Sequence, residues 1–161
     1  MTNNDILIRL RYALNITDLK LVELFAIAGM ELSAEDLRPL FLREDDERFR
    51  ECEGPVLAAF LDGLVVSRRG RLGGAPSAGP NTAAAPAKAR QPSNNDVLKA
   101  IRIALQLREV DIVAILRSVN VEVSKSEINA LFRRRDQDNY RQCGDQFLRN
   151  FLAGLTKRYR V

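Results

Sequence analysis

The chain has 161 residues, 46% hydrophobic and 29% charged, with a formal net charge of +4 and no histidine. That is the length of one domain or two small ones. Without histidine, Ser-His-Asp and Cys-His catalysis and every His-ligated zinc or iron site are excluded. With two cysteines, so is a four-cysteine metal site within one chain.

The first helix is expected to start after Asn3 or Asn4, with Asp5 in its first turn, where a carboxylate suits the positive end of the helix dipole. Its apolar positions, 6, 7, 10, 13 and 14, follow helical spacing rather than strand alternation. Asn15-Ile16-Thr17 interrupts that stripe, and Thr17 suits the cap of a second helix from about Asp18 to Ala28. Leu19, Leu21, Val22, Leu24 and Phe25 give this helix a wide apolar surface, which predicts burial on more than one side. Gly29 suits the residue just past its end.

Ser33 opens a third helix. Ser33-Ala-Glu-Asp36 resembles a capping box with Asp in place of Glu. Pro39 lies too deep to be a first-turn proline and predicts a kink or a delayed regular start. Asp45 is read as the cap of a short helical turn that buries Phe49 and Cys52. A last helix begins at Gly54-Pro55 and carries apolar residues at 56, 57, 60, 61 and 64. Gly63 inside it costs ~1 kcal/mol of helix propensity and points to close backbone packing.

Everything from Asn3 to Val65 then recurs 91 residues later without insertion or deletion, with 21 identities over 63 aligned positions. Asn3-Asn4-Asp5 becomes Asn94-Asn95-Asp96. Leu40-Phe41 becomes Leu131-Phe132. Asp45, Phe49, Arg50 and Cys52 are answered by Asp136, Tyr140, Arg141 and Cys143, and Gly63 by Gly154. Ser124-Lys-Ser-Glu127 is a regular capping box, and Ala130 replaces Pro39. The period is too long for a solenoid array, whose units run roughly 20–50 residues. The fold class is therefore all-α: two pseudo-symmetric repeats of about four helices each, residues 1–69 and 94–161, joined by an Ala/Pro/Gly-rich segment, 70–93, expected to be a flexible linker. A unit of about 65 residues has a marginal core alone. The two repeats are expected to pack together or onto another chain.

The charge is divided between the copies. Residues 1–70 carry a net −4, residues 71–93 +3 and residues 94–161 +5. Such asymmetry fits attraction between the halves or nucleic-acid contact by one of them.

Asn-Asn-Asp-Ile-Leu at the start, Leu-Arg-Glu-Asp-Asp in the middle, and Cys-Gly-Asp-Gln-Phe-Leu-Arg-Asn-Phe-Leu-Ala-Gly-Leu near the end are distinctive stretches. They resemble the YehS-like bacterial proteins, a family built from two copies of a domain of unknown function. The resemblance covers both repeats and skips the linker. It implies a bacterial, cytoplasmic, all-helical protein and transfers no role to any residue.

The residues themselves suggest binding rather than catalysis. Glu44-Asp45-Asp46-Glu47 lacks the spacing of a calcium loop and reads as a solvated capping run. Arg43, Arg50 and their counterparts flank the repeated aspartates, either as ion pairs bracing the turn or as an anion site. A basic side is formed by Arg133, Arg134, Arg135, Tyr140, Arg141, Arg149, Lys157 and Arg158, a composition suited to phosphates and stacked bases. Helices two and three also hint at a helix-turn-helix. Cys52 and Cys143, in a chain that opens without a basic, apolar secretory leader, are expected to be free, buried thiols of a cytoplasmic protein. The reading is a non-catalytic interaction protein with no cofactor, metal or membrane, associating with itself or another protein through apolar helix faces. A nucleic-acid-binding protein using the second repeat is the alternative.

Overall fold

The computed structural model describes residues 1–69, 91–133 and 137–159, and every regular element among them is helical. Repeat one comprises α1 (Asn3–Leu14), α2 (Asp18–Ile27), α3 (Ala34–Leu37), a 3-10 turn (Arg38–Phe41) and α4 (Gly54–Arg69). Repeat two comprises α5 (Asn94–Leu105), α6 (Glu109–Arg117), α7 (Lys125–Leu131) and α8 (Asp145–Tyr159). Of the expected linker, residues 70–90 lie outside the described residues, while Ser93 is the N-cap of α5.

The repeats pack through each other's ends. α1 lies against α8 and α4 against α5, so the first helix of each repeat sits on the last helix of the other. α2 then covers α4, and α6 covers α8. One hydrophobic core runs through both copies. Leu7, Leu10, Phe25 and Phe60 are fully buried in it, as are Leu98, Ile101 and Phe151. The duplication solves the small-domain problem, because two units that each bury too little apolar surface share a single interior.

Helix–helix approach explains the repeated glycines. A Cβ at Gly63 would lie 2.0 Å from the Leu24 carbonyl oxygen on α2, and one at Gly154 would lie 2.4 Å from the Ile115 carbonyl oxygen on α6. Gly29 and Asn120 occupy left-handed backbone after α2 and α6, with φ of 85° and 64°. Pro39 ends the regular helix early rather than delaying its start. α3 stops after four residues and continues as a 3-10 turn, whereas α7, with Ala130, runs seven residues.

Four local expectations are corrected. The cap of α1 is Thr2, whose hydroxyl accepts from the Asp5 amide at 3.1 Å, and that of α5 is Ser93. Asn3 and Asn4 are the first helical residues, which frees their side chains for other partners. Residues 44–48 form hydrogen-bonded turns, not a helix, and their anchor is Asp46, which accepts from the Arg48 amide at 2.8 Å. Asp45 stays exposed beside Arg43. Leu19 is not part of a buried surface: it is 84% exposed, and its counterpart Val110 is 47% exposed. Both stand near the start of their helix, beyond the reach of the core. The capping boxes also exchange ranks. Ser33 and Asp36 make both reciprocal bonds, whereas at α7 the Ser124 hydroxyl accepts from the Glu127 amide at 3.1 Å and donates to the Glu127 carboxylate at 3.4 Å.

Candidate binding surface

Each repeat spends its paired asparagines on holding one irregular loop. In repeat one, the Asn4 amide donates to the carbonyls of Leu40 and Arg50, both at 3.0 Å, and its oxygen accepts from the Cys52 amide at 2.8 Å. Asn4 is the one buried polar residue among those described, 4% exposed. Asn3 adds a bond to the Cys52 carbonyl at 3.0 Å. Repeat two reproduces the set. Asn95 bonds Leu131, Arg141 and Cys143, and Asn94 bonds the Cys143 carbonyl. The loops 42–53 and 133–144 therefore leave and rejoin the helices at fixed points. Buried backbone groups with no ladder partner are satisfied by one side chain that carries both donors and an acceptor.

A second repeated device props the same loop. The Arg11 guanidinium lies 4.7 Å from the centre of the Phe41 ring, and that of Arg102 lies 4.5 Å from Phe132. Their Nε atoms donate to the carbonyls of Ile16 and Leu107, and Arg11 also pairs with Asp18.

The starts of the long helices meet at one end of the molecule. The Met1 ammonium is 2.7 Å from an Asp145 oxygen, and Asn94 donates to the other Asp145 oxygen at 2.7 Å. Gln91 donates to Asn3 at 3.2 Å. These bonds, first the Met1 ammonium and then Asn94, hold the Asp145 carboxyl below its ordinary range. Both loops are thus anchored at the same end, yet they differ in charge. Residues 42–53 hold three basic and six acidic side chains, and residues 133–144 hold four basic and two acidic.

The predicted basic residues do not form one patch. Arg133 is exposed and lines a recess with Tyr140 and Lys99. Arg141 lies in the adjoining groove and faces Glu127 at 3.7 Å. Arg134 and Arg135 lie outside the described residues. Arg149 bonds Gln146 along α8. Lys157 and Arg158 are more than three helical turns beyond Asp145, roughly 18 Å along the axis, and both reach α6. Lys157 donates to the Ser118 carbonyl at 3.1 Å and Arg158 to Asp111 at 3.3 Å. The sequence reading missed Lys99, which stands where repeat one has Ile8. It also missed the loop-holding role of Asn4 and Asn95, for which the twice-written Asn-Asn pair was the available signal.

The remaining candidates are accounted for locally. Arg43 and Asp45 are 3.7 Å apart and both largely exposed, a geometry that contributes little stability. α3 spans four residues, too short to serve as a groove-reading helix. No group of three or more His, Cys, Asp or Glu residues suited to a metal occurs among the described residues. No helix among them is long and apolar enough to cross a membrane. Cys52 and Cys143 are unpaired and buried. Burial first, then Glu53 and Glu51, pushes the Cys52 thiol up to about 12. Burial and Asp145 push Cys143 up to about 11.

Comparison with known proteins agrees with the duplicated architecture. The chain is 42% identical over 161 residues to the "Uncharacterized protein YehS" of Escherichia coli (strain K12), covering 100% of this chain and 98% of that protein. No solved structure matches it. The family described as "Protein of unknown function (DUF1456)" matches twice, at residues 3–70 and 94–160, one match per structural repeat. A bacterial relative aligned end to end and two family matches in register with the two helical repeats make this chain a member of that family.

Proposed function

We propose that the protein is a non-catalytic binding protein that associates with a second copy of itself through the loop-bearing end. The observation that carries this reading is that two segments of opposite sequence charge, 42–53 and 133–144, are each pinned at their ends by paired asparagines at one end of a pseudo-symmetric molecule. A second copy turned about a two-fold axis sets the acidic loop of each against the basic loop of the other, a self-complementary contact. The apolar faces of α1, α4, α5 and α8 are spent between the repeats of one chain. Loops held by a rigid scaffold are where recognition residues concentrate. A non-catalytic role is supported by the thiols, whose raised pKa is the reverse of an activated nucleophile.

Sedimentation velocity across protein concentration tests this. The expected result is a dimer at low salt that weakens as the Debye length falls from about 10 Å at 0.1 M to about 3 Å at 1 M. E44R/E47R is expected to be a folded monomer. A wild-type chain that stays monomeric in low salt at about 100 μM, well above a micromolar Kd of about −8 kcal/mol, sinks the proposal.

A second reading, nucleic-acid binding by repeat two, is favoured by the neighbouring placement of Lys99, Arg133, Tyr140 and Arg141. With Lys157 and Arg158 engaged on α6, few phosphate contacts remain. Titration of single- and double-stranded oligonucleotides is expected to show a log–log salt slope of only about −2 to −4. No binding at low salt removes this reading.

A further inference from the structure

The duplication supplies an internal control for one surface recess. In repeat two, a recess of about 180 Å³ is lined by Lys99, Arg133, Tyr140, Phe132, Leu131 and the N-terminal turn of α5, including Asp96. The scaffold beneath it is the same in repeat one. Leu40 and Phe41 correspond to Leu131 and Phe132, Asn4 to Asn95, and the capping carboxylate Asp5 to Asp96. Four lining positions differ: Thr2 and Ser93 both keep the capping hydroxyl, and the other three change in one chemical direction. Ile8, Leu42 and Phe49 in repeat one are Lys99, Arg133 and Tyr140 in repeat two.

We infer that this recess is a binding site for a phosphate monoester, present in repeat two alone. Lys99 and Arg133 bring two positive charges to one opening, matching a phosphate monoester that is close to a dianion at neutral pH. Lysine acts as a point charge and arginine as a two-pronged donor to adjacent phosphate oxygens. The Tyr140 hydroxyl supplies a neutral donor. Among the described residues, neither Lys99 nor Arg133 has a carboxylate within ion-pair distance. Asp96, the acidic member of the lining, is already committed: it accepts from the Ser93 amide at 2.9 Å, and its own amide donates to the Ser93 hydroxyl at 3.1 Å. The helix end is therefore capped by the protein itself, and the two cations and the phenol are the groups left to a ligand. The apolar floor, Leu131 and Phe132, suits the organic part of an ester.

The test uses the full-length protein and backbone NMR shifts during titration with inorganic phosphate and with phenyl phosphate. The recess belongs to one chain, but Arg133 and Tyr140 also lie in the loop proposed for self-association. The titration is therefore run on E44R/E47R, the expected monomer, beside the wild type, which separates failure of the site from its occlusion by a second copy. Saturable shifts confined to the amides around Lys99, Arg133 and Tyr140 are expected, with a Kd of about 1 mM or tighter. K99I/R133L/Y140F, which installs the side chains that repeat one already carries, is expected to weaken binding at least about tenfold, a change of roughly 1.4 kcal/mol. I8K/L42R/F49Y is expected to create a second set of shifts in repeat one. A 5′-phosphorylated oligonucleotide, compared with its unphosphorylated twin, separates a nucleic-acid end from a small phosphorylated molecule as the source. No saturable shift with either phosphate probe, or the same shifts in K99I/R133L/Y140F, overturns the site.

Discussion

Asn4 is the buried polar anchor of the loop in repeat one. Its amide meets two carbonyls and its oxygen one amide; the bonds to Leu40 and Cys52 are buried and that to Arg50 is partly buried. Truncation leaves three backbone groups unpaired, at about 1–3 kcal/mol each. Asn4→Ala is expected to lower unfolding free energy by about 3 kcal/mol or more in urea denaturation. Asn4→Asp, which sets a carboxylate against two carbonyl oxygens, is expected to do at least as much harm. A loss below about 1 kcal/mol for Asn4→Ala would show that the loop does not depend on this anchor. The cysteines beside it give a pH signature. Their folded pKa is raised from 9.0 to about 12 and about 11. The stability they contribute is fully present below about 9 and is lost as pH rises through 11 to 12, because the unfolded chain ionises first. Thermal melts are expected to fall steadily above pH 9. In C52A/C143A that thiol-linked part of the slope is expected to be absent, and an unchanged slope would refute the assignment. Burial of the thiols was legible from the sequence, because cysteine after an aromatic in a histidine-free chain reads as a small hydrophobe. The asparagine anchor was not. Asparagine is so often a helix cap that local pattern favoured the nearer explanation, and the true partners lie 36 to 48 residues away in the chain.

Among the elements, the long helices were the easiest to foresee, since their apolar stripes carry a strong period. The weak points were those where tertiary contact overrides pattern. Leu19 and Val110 match the stripe by composition, but one position of rotation near a helix start turns a side chain to solvent. The turns at 44–48 hold enough Asp and Glu to imitate a helix start, yet Asp46 closes a local turn with Arg48 instead. The glycines in α4 and α8 were read correctly, because a residue that costs helix propensity twice at the same register needs a packing reason. The structure supplies it and sharpens it into a paired test. Gly63→Ala places a methyl group 2.0 Å from the Leu24 carbonyl oxygen, so α2 and α4 must separate. Overpacking of this kind costs roughly 1–3 kcal/mol, more when backbone rather than side chain must give way. The expected net effect is a loss of about 2 kcal/mol or more even after the ~1 kcal/mol gain in helix propensity. Gly144→Ala meets nothing within 4 Å and has no positive φ, and is expected to be neutral. Equal stabilities for the two variants in parallel denaturation curves would contradict the close α2–α4 approach.

At the scale of the whole molecule, the decisive feature is which helices share the interior. The duplication shows that the chain is built twice. It leaves open whether each copy closes on itself or completes the other, because an apolar stripe does not name its partner. The structure answers that α1 packs on α8 and α4 on α5, so each repeat leaves its first and last helices to be covered by its twin. A repeat alone exposes the faces of α1 and α4, or of α5 and α8, that its twin covers in the intact chain. At ~1.5–3 kcal/mol for each large side chain buried, uncovering several apolar side chains costs an amount comparable with the ~5–15 kcal/mol that holds a small domain together. Residues 1–70 and 93–161, made separately, are therefore expected to be largely unfolded or to pair with themselves through the same faces. Mixed, they are expected to gain helicity and form a 1:1 complex. The charges of −4 on the first 70 residues and +5 on residues 94–161 favour that mixed pair over either self-pair. Because exposed charges each contribute little and salt screens them, high salt is expected to erode the preference for the mixed pair while leaving the complex itself intact. Circular dichroism of the halves and the mixture, with sedimentation of the mixture at two salt concentrations, reads both effects. Two halves that each unfold cooperatively as stable monomers, with no change on mixing, would show that the repeats are independent domains and that the shared interior is not what holds this fold together.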